Sequence, residues 1–438
     1  PLAAEIANPA ATPESVIEKT DIGGPAMLRS AAKGRRIVIA EPAQRAEILA
    51  WLESGEPNPD EIRTSLAARA EAIVAGYCLE SARYHAPGVI DGVIGVRTLA
   101  CKYGENAWQA PAGLFATWFA SGPSGAQDPL ALKQFTVIAG TAPSYNNLAE
   151  VDRQLQTISH IAAGFEANFG EVPFIAVGTK HGNPCGAAVG EDPAAVIRAM
   201  VTGDARAIFG GLVMLNFALD EALAEELLTF GTGGGRRLLD GISAPAFDAA
   251  AVAMLSRKGD RCRFLANPAL RQLGLASLDA QPRWRHVRGG FLAQPNYAYV
   301  ASLTDPELTA TGTPTAGQSR DLILAWAIGS TSNSNTVTLV SDGQLIGNGV
   351  GQQDRVGCCE LAVKRARDAG HDPRGSVAYS DSFFPFPDAP GVLADAGVAA
   401  IWCTTGSVRD AETRALCAER GVVLYQVPDA KGRGFFGH

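Results

Sequence analysis

The spacing of apolar positions divides this chain into two kinds of pattern. Up to about residue 100 it is mostly helical: residues 14–18 and 25–33 read as short helices, the second after the turn-forming Gly23-Gly24. Amphipathic stretches follow at 45–52 and 60–79, and one short apolar run, Ile37-Val38-Ile39-Ala40, predicts a strand between them. From about Val96 the pattern becomes α/β. Residues 148–169 predict a long helix with Ile158, Ile161, Ala162 and Phe165 on one face. Residues 173–178 predict a buried strand that runs directly into Lys180-His181. A helix at 193–200 and an apolar strand at 207–215, with Gly210-Gly211 inside it, complete a first half. Residues 281–317 lack helical periodicity and read as a connector. Beyond them the alternation resumes: a helix at 320–328, then a strand at 336–340 closed by the Ser341-Asp342-Gly343 turn into a hairpin. A helix at 352–368, a strand at 376–379 and a strand–helix–strand run over 399–425 follow. The expectation is two similar α/β halves joined by an irregular connector.

Composition narrows the class. At 438 residues the chain is long enough for two or three compact units, and 47% apolar with 19% charged residues is ordinary for a soluble enzyme. The net charge of −8 argues against a general nucleic-acid binder, which needs a basic stripe. No stretch approaches the roughly 20 apolar residues that cross a bilayer. Eight scattered cysteines without a C-x-x-C suggest reduced, mostly buried thiols, and with them a cytoplasmic protein. Pro1 stands where a Met is usual, so the expectation is a processed chain or part of a longer product.

Several segments carry candidate chemistry. Lys180-His181 lies at a predicted strand end, followed by Gly182-Asn183-Pro184-Cys185-Gly186. Strand ends in α/β folds face the crevice where ligands bind, His is a ready general base, and an adjacent Lys can stabilise an oxyanion. From the dipeptide alone, a surface His beside a surface Lys is the more economical reading. The glycines of residues 347–351 precede a helix and suit either an anion-binding turn or a tight hairpin. The run 231–235 reads as a loop. Phe383, Phe384 and Phe386 around Pro385 suit either core packing or a slot for a flat heteroaromatic ring. A zinc deaminase is rejected: Pro184-Cys185 lacks its second cysteine, and no His precedes a Glu at the required spacing.

Taken in order, these segments resemble the bifunctional purine-biosynthesis family that joins AICAR transformylase to IMP cyclohydrolase. The matching stretches are Lys102-Tyr103-Gly104-Glu105-Asn106, Lys180 to Gly186, Ile208-Phe209-Gly210-Gly211, Gly289-Gly290-Phe291-Leu292, Ser334-Asn335, Gly349-Val350-Gly351-Gln352, Ser380 to Phe386 and Gly406-Ser407-Val408-Arg409-Asp410. The resemblance implies formyl transfer from 10-formyltetrahydrofolate to the amine of AICAR. It implies a fold of two cytidine-deaminase-like α/β/α halves without the zinc, at 96–280 and 318–438, with a connector at 281–317. Residues 1–95 would be a partial, mostly helical remnant of a methylglyoxal-synthase-like cyclohydrolase domain, with Asp21 and Lys33 in its nucleotide site. Active sites across a homodimer interface and a structural potassium ion also belong to this picture.

By the same resemblance His181 would be the base, with Lys180 and Asn335 stabilising the oxyanion. Lys102, Tyr103, Phe209, Gly210, Asp240, Arg355, Phe383 and Arg433 would bind the ribotide. Val356, Pro385, Phe386, Asp388 and Ser407 would line the folate site. The departures fall on the ribotide side: Lys102 replaces the usual Arg, Ala107-Trp108 the usual Pro-His, Pro387 an Arg, and the tail Lys431 to His438 is altered. These departures leave open a relative acting on another aminoazole nucleotide, and the partial N-terminal domain leaves open a nucleotide- or folate-binding subunit supporting a partner chain with cyclohydrolase activity. With the earlier half of that domain absent, cyclohydrolase activity from this chain alone is not expected.

Overall fold

A computed structural model describes residues 2–117 and 128–437. The chain forms two compact units, one running to Leu99 with a further stretch from Gly113, the other comprising Ala100–Ala112 and Pro129–His438.

The first unit is helical: α1 (Leu2–Ile6), α2 (Pro13–Glu18), α3 (Gly23–Lys33), α4 (Gln44–Glu53) and α5 (Pro59–His85). Its core gathers Ala32, Val38, Ile48, Trp51, Leu66 and Ala70. The strand expected at 37–40 does not form. Val38 alone of the three large residues is buried, while Ile37 and Ile39 stay exposed, so the run plugs the core as an irregular segment. A two-stranded ribbon of β1 (Gly95–Cys101) and β2 (Ala112–Thr117) follows.

The second unit is mixed α/β and repeats one order of elements twice. The first half runs β3 (Thr136–Ala139), α6 (Tyr145–Phe169), β4 (Phe174–Lys180), β5 (Asn183–Gly190), α7 (Pro193–Gly203), β6 (Leu212–Leu215), α8 (Glu221–Thr229), β7 (Gly241–Ala244), α9 (Ala249–Leu255) and β8 (Arg263–Ala266). A hairpin of β9 (Arg283–Val287) and β10 (Gly290–Gln294) comes next. The second half runs β11 (Thr309–Thr311), α10 (Ala316–Gly329), β12 (Val337–Ser341), β13 (Gln344–Gly349), α11 (Arg355–Asp368), β14 (Val377–Ser380), α12 (Asp388–Asp395), β15 (Ala400–Thr405), α13 (Asp410–Glu419) and β16 (Val423–Pro428), closing with the short α14 (Asp429–Gly432). All the strands outside the two ribbons join one 12-stranded sheet, ordered β11-β16-β15-β14-β12-β13-β5-β4-β6-β7-β8-β3. The order is palindromic about the antiparallel β13–β5 contact, and each pairing on one side has a counterpart of the same sense on the other.

Both sheet faces are covered. On one, α6 and α10 share a core with Ile158, Ile161, Phe165, Leu322, Ile323 and Trp326, all fully buried. Side chains of this size each contribute about 1.5–3 kcal/mol by leaving water. On the other face, α7 to α9 and α11 to α13 bury separate cores for the two halves. α10 is apolar nearly all round because residues 321–329 are all buried.

Three expectations need correction. The strand at 207–215 is only β6, because Gly210 takes φ +67° and breaks the run. The connector at 281–317 holds the ordered β9–β10 hairpin and β11. Residues 183–190, to which the sequence pattern gives no element, are the central strand β5 despite Pro184. A register shift between Gly178 and Thr179 on the paired strand accompanies the proline, which has no N–H to give.

The α6–α10 crossing tolerates little. A Cβ on Gly164 would sit 2.9 Å from both Ile323 and Trp326 side chains. Gly164→Ala is expected to lower stability by about 1–3 kcal/mol despite its better helix propensity, read as a fall in Tm by calorimetry.

Candidate active site

The β4–β5 connection is a two-residue turn in which His181 (φ +52°) and Gly182 (φ +73°) are both left-handed, between the paired Lys180 and Asn183. Such a type I′ turn follows the twist of the strands but costs a non-glycine residue roughly 1–2 kcal/mol. A carboxylate opposes that cost: the His181 backbone N–H donates to Glu150 Oε1 at 3.2 Å from the first turns of α6. The imidazole itself stands clear, with its side chain 85% exposed and Nδ1 4.0 Å from Glu150 Oε1. The Lys180 ammonium is held by the 209–210 loop, its Nζ donating to the carbonyls of Phe209 (2.9 Å) and Gly210 (2.8 Å). The left-handed Gly210 lies against this ammonium, and a Cβ there would come 3.0 Å from Nζ.

The second half meets this turn through its 330–336 loop. The Asn333 N–H donates to Asn183 Oδ1 at 3.0 Å. Two residues on, after a cis Ser334–Asn335 peptide, Asn335 Nδ2 donates to Gln352 O at 2.9 Å. Arg153 on α6 braces the loop with bonds to Thr331 O (3.1 Å) and Asn333 Oδ1 (3.3 Å). Burial pushes its guanidinium down to about 10, and Arg283 adds to the fall against the pull of Asp152. Arg355 opens α11 and donates to Ser380 Oγ (3.1 Å) and to Asp381 Oδ1, a carboxylate with no exposed side-chain surface.

The other expected site residues fall around these two segments. Lys102 and Tyr103 lie on the N-terminal end of α6, where the Tyr145 N–H donates to Tyr103 O at 3.1 Å. The Lys102 ammonium is 6.0 Å from the Tyr103 ring. Asp240 precedes β7, is partly exposed and is paired with Arg257 at 2.6 Å. Arg257 also lines a recess of about 310 Å³ together with Arg236, Lys258 and Arg261.

After β14 the aromatic run divides. Phe384 is core at 1% exposure, whereas Phe386 is half-exposed under the Arg409 guanidinium. Phe383 lies against Gly406, with the Arg433 guanidinium 6.0 Å from its ring. Ser407 Oγ donates to Pro385 O (3.2 Å), and Arg433 pairs with Asp429. The tail continues along the 330–336 loop, where the Phe436 N–H donates to Ser332 O at 2.9 Å. Val356 packs partly against the second-half core, and the Asp388 carboxylate accepts the Ala389 N–H at the start of α12. Gly347 and Gly349 answer to packing: a Cβ on either would sit 2.3 Å from a carbonyl of α11.

Sequence reasoning passed over Glu150, Arg153, Asn183 and Asp381. Glu150 and Arg153 are two of four charged side chains at 148–169, with Asp152 and Glu166, so their place on the helix does not set them apart. Among the described residues no three His, Cys, Asp or Glu side chains converge as a metal-binding set, and no helix is long and apolar enough to cross a membrane.

A histidine on a strand-end turn, flanked by a lysine and by an amide loop from a duplicated half, places the candidate site of this α/β unit where its two repeats meet. The sequence profile described as AICARFT/IMPCHase bienzyme matches residues 31–365. Proteins named bifunctional purine biosynthesis protein PurH are similar along nearly the whole chain. That of Rhodopirellula baltica is 34% identical over 100% of this chain and 79% of its own length. That of Cutibacterium acnes is 36% identical over 94% and 75%, and that of Oceanobacillus iheyensis 31% over 97% and 78%. The chain belongs to the AICARFT/IMPCHase bienzyme family.

Burial lifts the Glu150 carboxyl from 4.5 to about 7; Asp240 adds to the rise, while the His181 N–H and Lys180 oppose it. The folded chain therefore holds this proton more tightly than the unfolded chain between about pH 4.5 and 7, and stability from this group falls as pH rises through that window. Glu150→Gln is expected to raise stability at pH 8 by up to about 2–3 kcal/mol and to lose that advantage at pH 5. Thermal melts at the two pH values decide it, and no gain at pH 8 contradicts it.

Proposed function

We propose that this chain transfers the formyl group of 10-formyltetrahydrofolate to the 5-amino group of AICAR, giving FAICAR and tetrahydrofolate in purine biosynthesis. The observation that carries this reading is the His181 turn. It presents an exposed imidazole beside Lys180 and is tied through Asn183 to the loop that bears Asn335.

The amine of an aminoimidazole is a weak nucleophile, and its proton must leave as the carbon–nitrogen bond forms. His181 takes that proton. An ammonium has three donors, and Lys180 commits two to Phe209 and Gly210, leaving one for the oxyanion on the formyl carbon. The Asn335 amide likewise commits one N–H to Gln352 and retains the second. Both are fixed before the reaction, which is the condition for such donors to favour the transition state. Lys102 and Tyr103 on the α6 end, with Phe209, Gly210, Asp240, Arg355, Phe383 and Arg433, hold the ribotide. Val356, Pro385, Phe386, Asp388 and Ser407 hold the folate.

The same reading takes the repeated halves as cytidine-deaminase-like, at 96–280 and 318–438 about the connector at 281–317. It takes residues 1–95 as part of a cyclohydrolase-like domain with Asp21 and Lys33 in its nucleotide site. A cytoplasmic homodimer with shared active sites fits the exposed Trp108, Phe209, Phe291, Leu292 and Phe386. The relatives are each named as one bifunctional protein, so a separate cyclohydrolase chain has no support from them. A structural potassium ion fits Asp381, whose Oδ2 is buried without a hydrogen-bond partner beside the Ser380 hydroxyl. The Asp381 Oδ2 would be one oxygen ligand of such an ion, while Arg355 already balances the carboxylate's charge through Oδ1. The ribotide-side departures, above all the 80% exposed Trp108 and Lys102, keep a second aminoazole nucleotide as the alternative acceptor.

The test follows tetrahydrofolate release from 10-formyltetrahydrofolate and AICAR. His181→Ala is expected to lower kcat by about 10²- to 10⁴-fold with ribotide binding retained. A wild-type protein that turns over neither AICAR nor another aminoazole ribotide at high enzyme concentration overturns the reading.

A further inference from the structure

The two halves carry the same turn, and comparing them isolates one side chain. α6 and α10 both start from a hydroxyl cap completed by an amide three residues on, Ser144 with Asn147 and Thr315 with Gln318. The sixth residue of each helix is an acid that reaches a left-handed turn, Glu150 at His181-Gly182 and Asp321 at Asp342-Gly343. Asp321 is saturated by that turn, with Oδ2 accepting the Asp342 N–H (2.9 Å) and Oδ1 the Gly343 N–H (2.7 Å). Glu150, one methylene longer, accepts only the His181 N–H. Its Oε2 is buried without a hydrogen-bond partner, and its Oε1 stands 4.0 Å from the imidazole Nδ1. The acid of the first half therefore has an accepting capacity that its counterpart lacks, and the nearest ring nitrogen belongs to His181.

We propose that Glu150 is the positioning residue of His181, its carboxylate accepting the Nδ1–H in the substrate complex so that Nε2 faces the attacking amine unprotonated. The proposal rests on the formyl-transfer reading above. The amine nitrogen bonds to the formyl carbon, its proton passes to Nε2, and the imidazolium so formed is paired with Glu150. Collapse of the tetrahedral adduct breaks the bond to folate N10, and the proton on Nε2 passes to N10. Rotation of the imidazole, 85% exposed and unpacked, closes the 4.0 Å gap. The charged groups facing Glu150 are Lys180 at the end of β4, Asp240 before β7, and Arg153, whose side chain packs on Gly182. Burial lifts the Glu150 carboxyl to about 7.

Full-length protein is assayed with 10-formyltetrahydrofolate and AICAR across pH. Loss of turnover in the wild type defeats the functional reading, and only an active wild type bears on Glu150. Glu150→Gln keeps an oxygen for the His181 N–H and removes the charge. Its kcat is expected to fall about 10- to 100-fold with the ribotide KM within about threefold, and the pH profile of kcat/KM to change because the Glu150 carboxyl no longer titrates. Glu150→Asp keeps fold and charge by the precedent of Asp321 but withdraws from Nδ1, and is expected to lose kcat about tenfold. Asp321→Asn removes the equivalent clamp far from the chemistry, and is expected to lower Tm with kcat unchanged. Wild-type kcat in Glu150→Gln or Glu150→Asp, an unmoved pH profile in Glu150→Gln, or equal kcat losses in Glu150→Gln and Asp321→Asn would overturn the proposal.

Discussion

The candidate site depends on a partly buried carboxylate, that of Glu150, accepting a backbone N–H from a strained turn. A type I′ hairpin with a non-glycine first residue is uphill, and the strands β4 and β5 alone give it no compensation. Glu150 supplies it from α6, and α6 is in turn fixed by its cap, by the apolar face on α10 and by Arg153 bonding the 330–336 loop. Helix, turn and loop are therefore set by one another. An exposed imidazole gains a defined direction without being packed, which a base meeting a diffusing substrate requires.

Duplication explains how this became available. In each half a capped helix sends an acid to the hairpin turn, but the two turns lie at opposite ends of the antiparallel β5–β13 pair. At the Asp342 end the clamp is complete and the turn is only structural. At the His181 end the turn instead meets the start of β12 and the end of β13, where Asn335, Gln352 and Arg355 gather. One copy keeps the architecture while the other presents the candidate groups, so the candidate site sits where the repeats complement each other.

What the sequence made legible follows the same division. The strand into Lys180-His181 and the helix at 148–169 showed plainly, because burial on both sheet faces or on one helix face leaves a periodic mark. β5 did not, since Pro184 and Gly186 are poor strand residues and only a bulge on the neighbouring strand admits them. The run at 37–40 misled in the opposite sense, for three apolar residues make a strand only beside a partner. Glu150 was invisible because its role is set by a contact across about thirty residues, and one acid on a helix carries no signal of what it faces. The roles of Asn335 and Arg355 came from family resemblance alone; nothing in their local spacing points to them.

The departures from the family pattern are also placed by this architecture. Lys102 and Trp108 sit on the loop that covers the α6 N-terminus, joined to it by the Tyr145 N–H and the Asn146 side chain. Changing that loop alters charge geometry and apolar surface at the helix end while leaving Glu150, one turn further on, untouched. Replacing a forked guanidinium by a point charge would loosen how a phosphate is oriented, whereas the imidazole, ammonium and amide proposed to act on the formyl group belong to the sheet end and the second half. On the proposed reading, recognition of the ribotide and transfer of the formyl group fall on separate elements, and sequence drift in the first need not disturb the second.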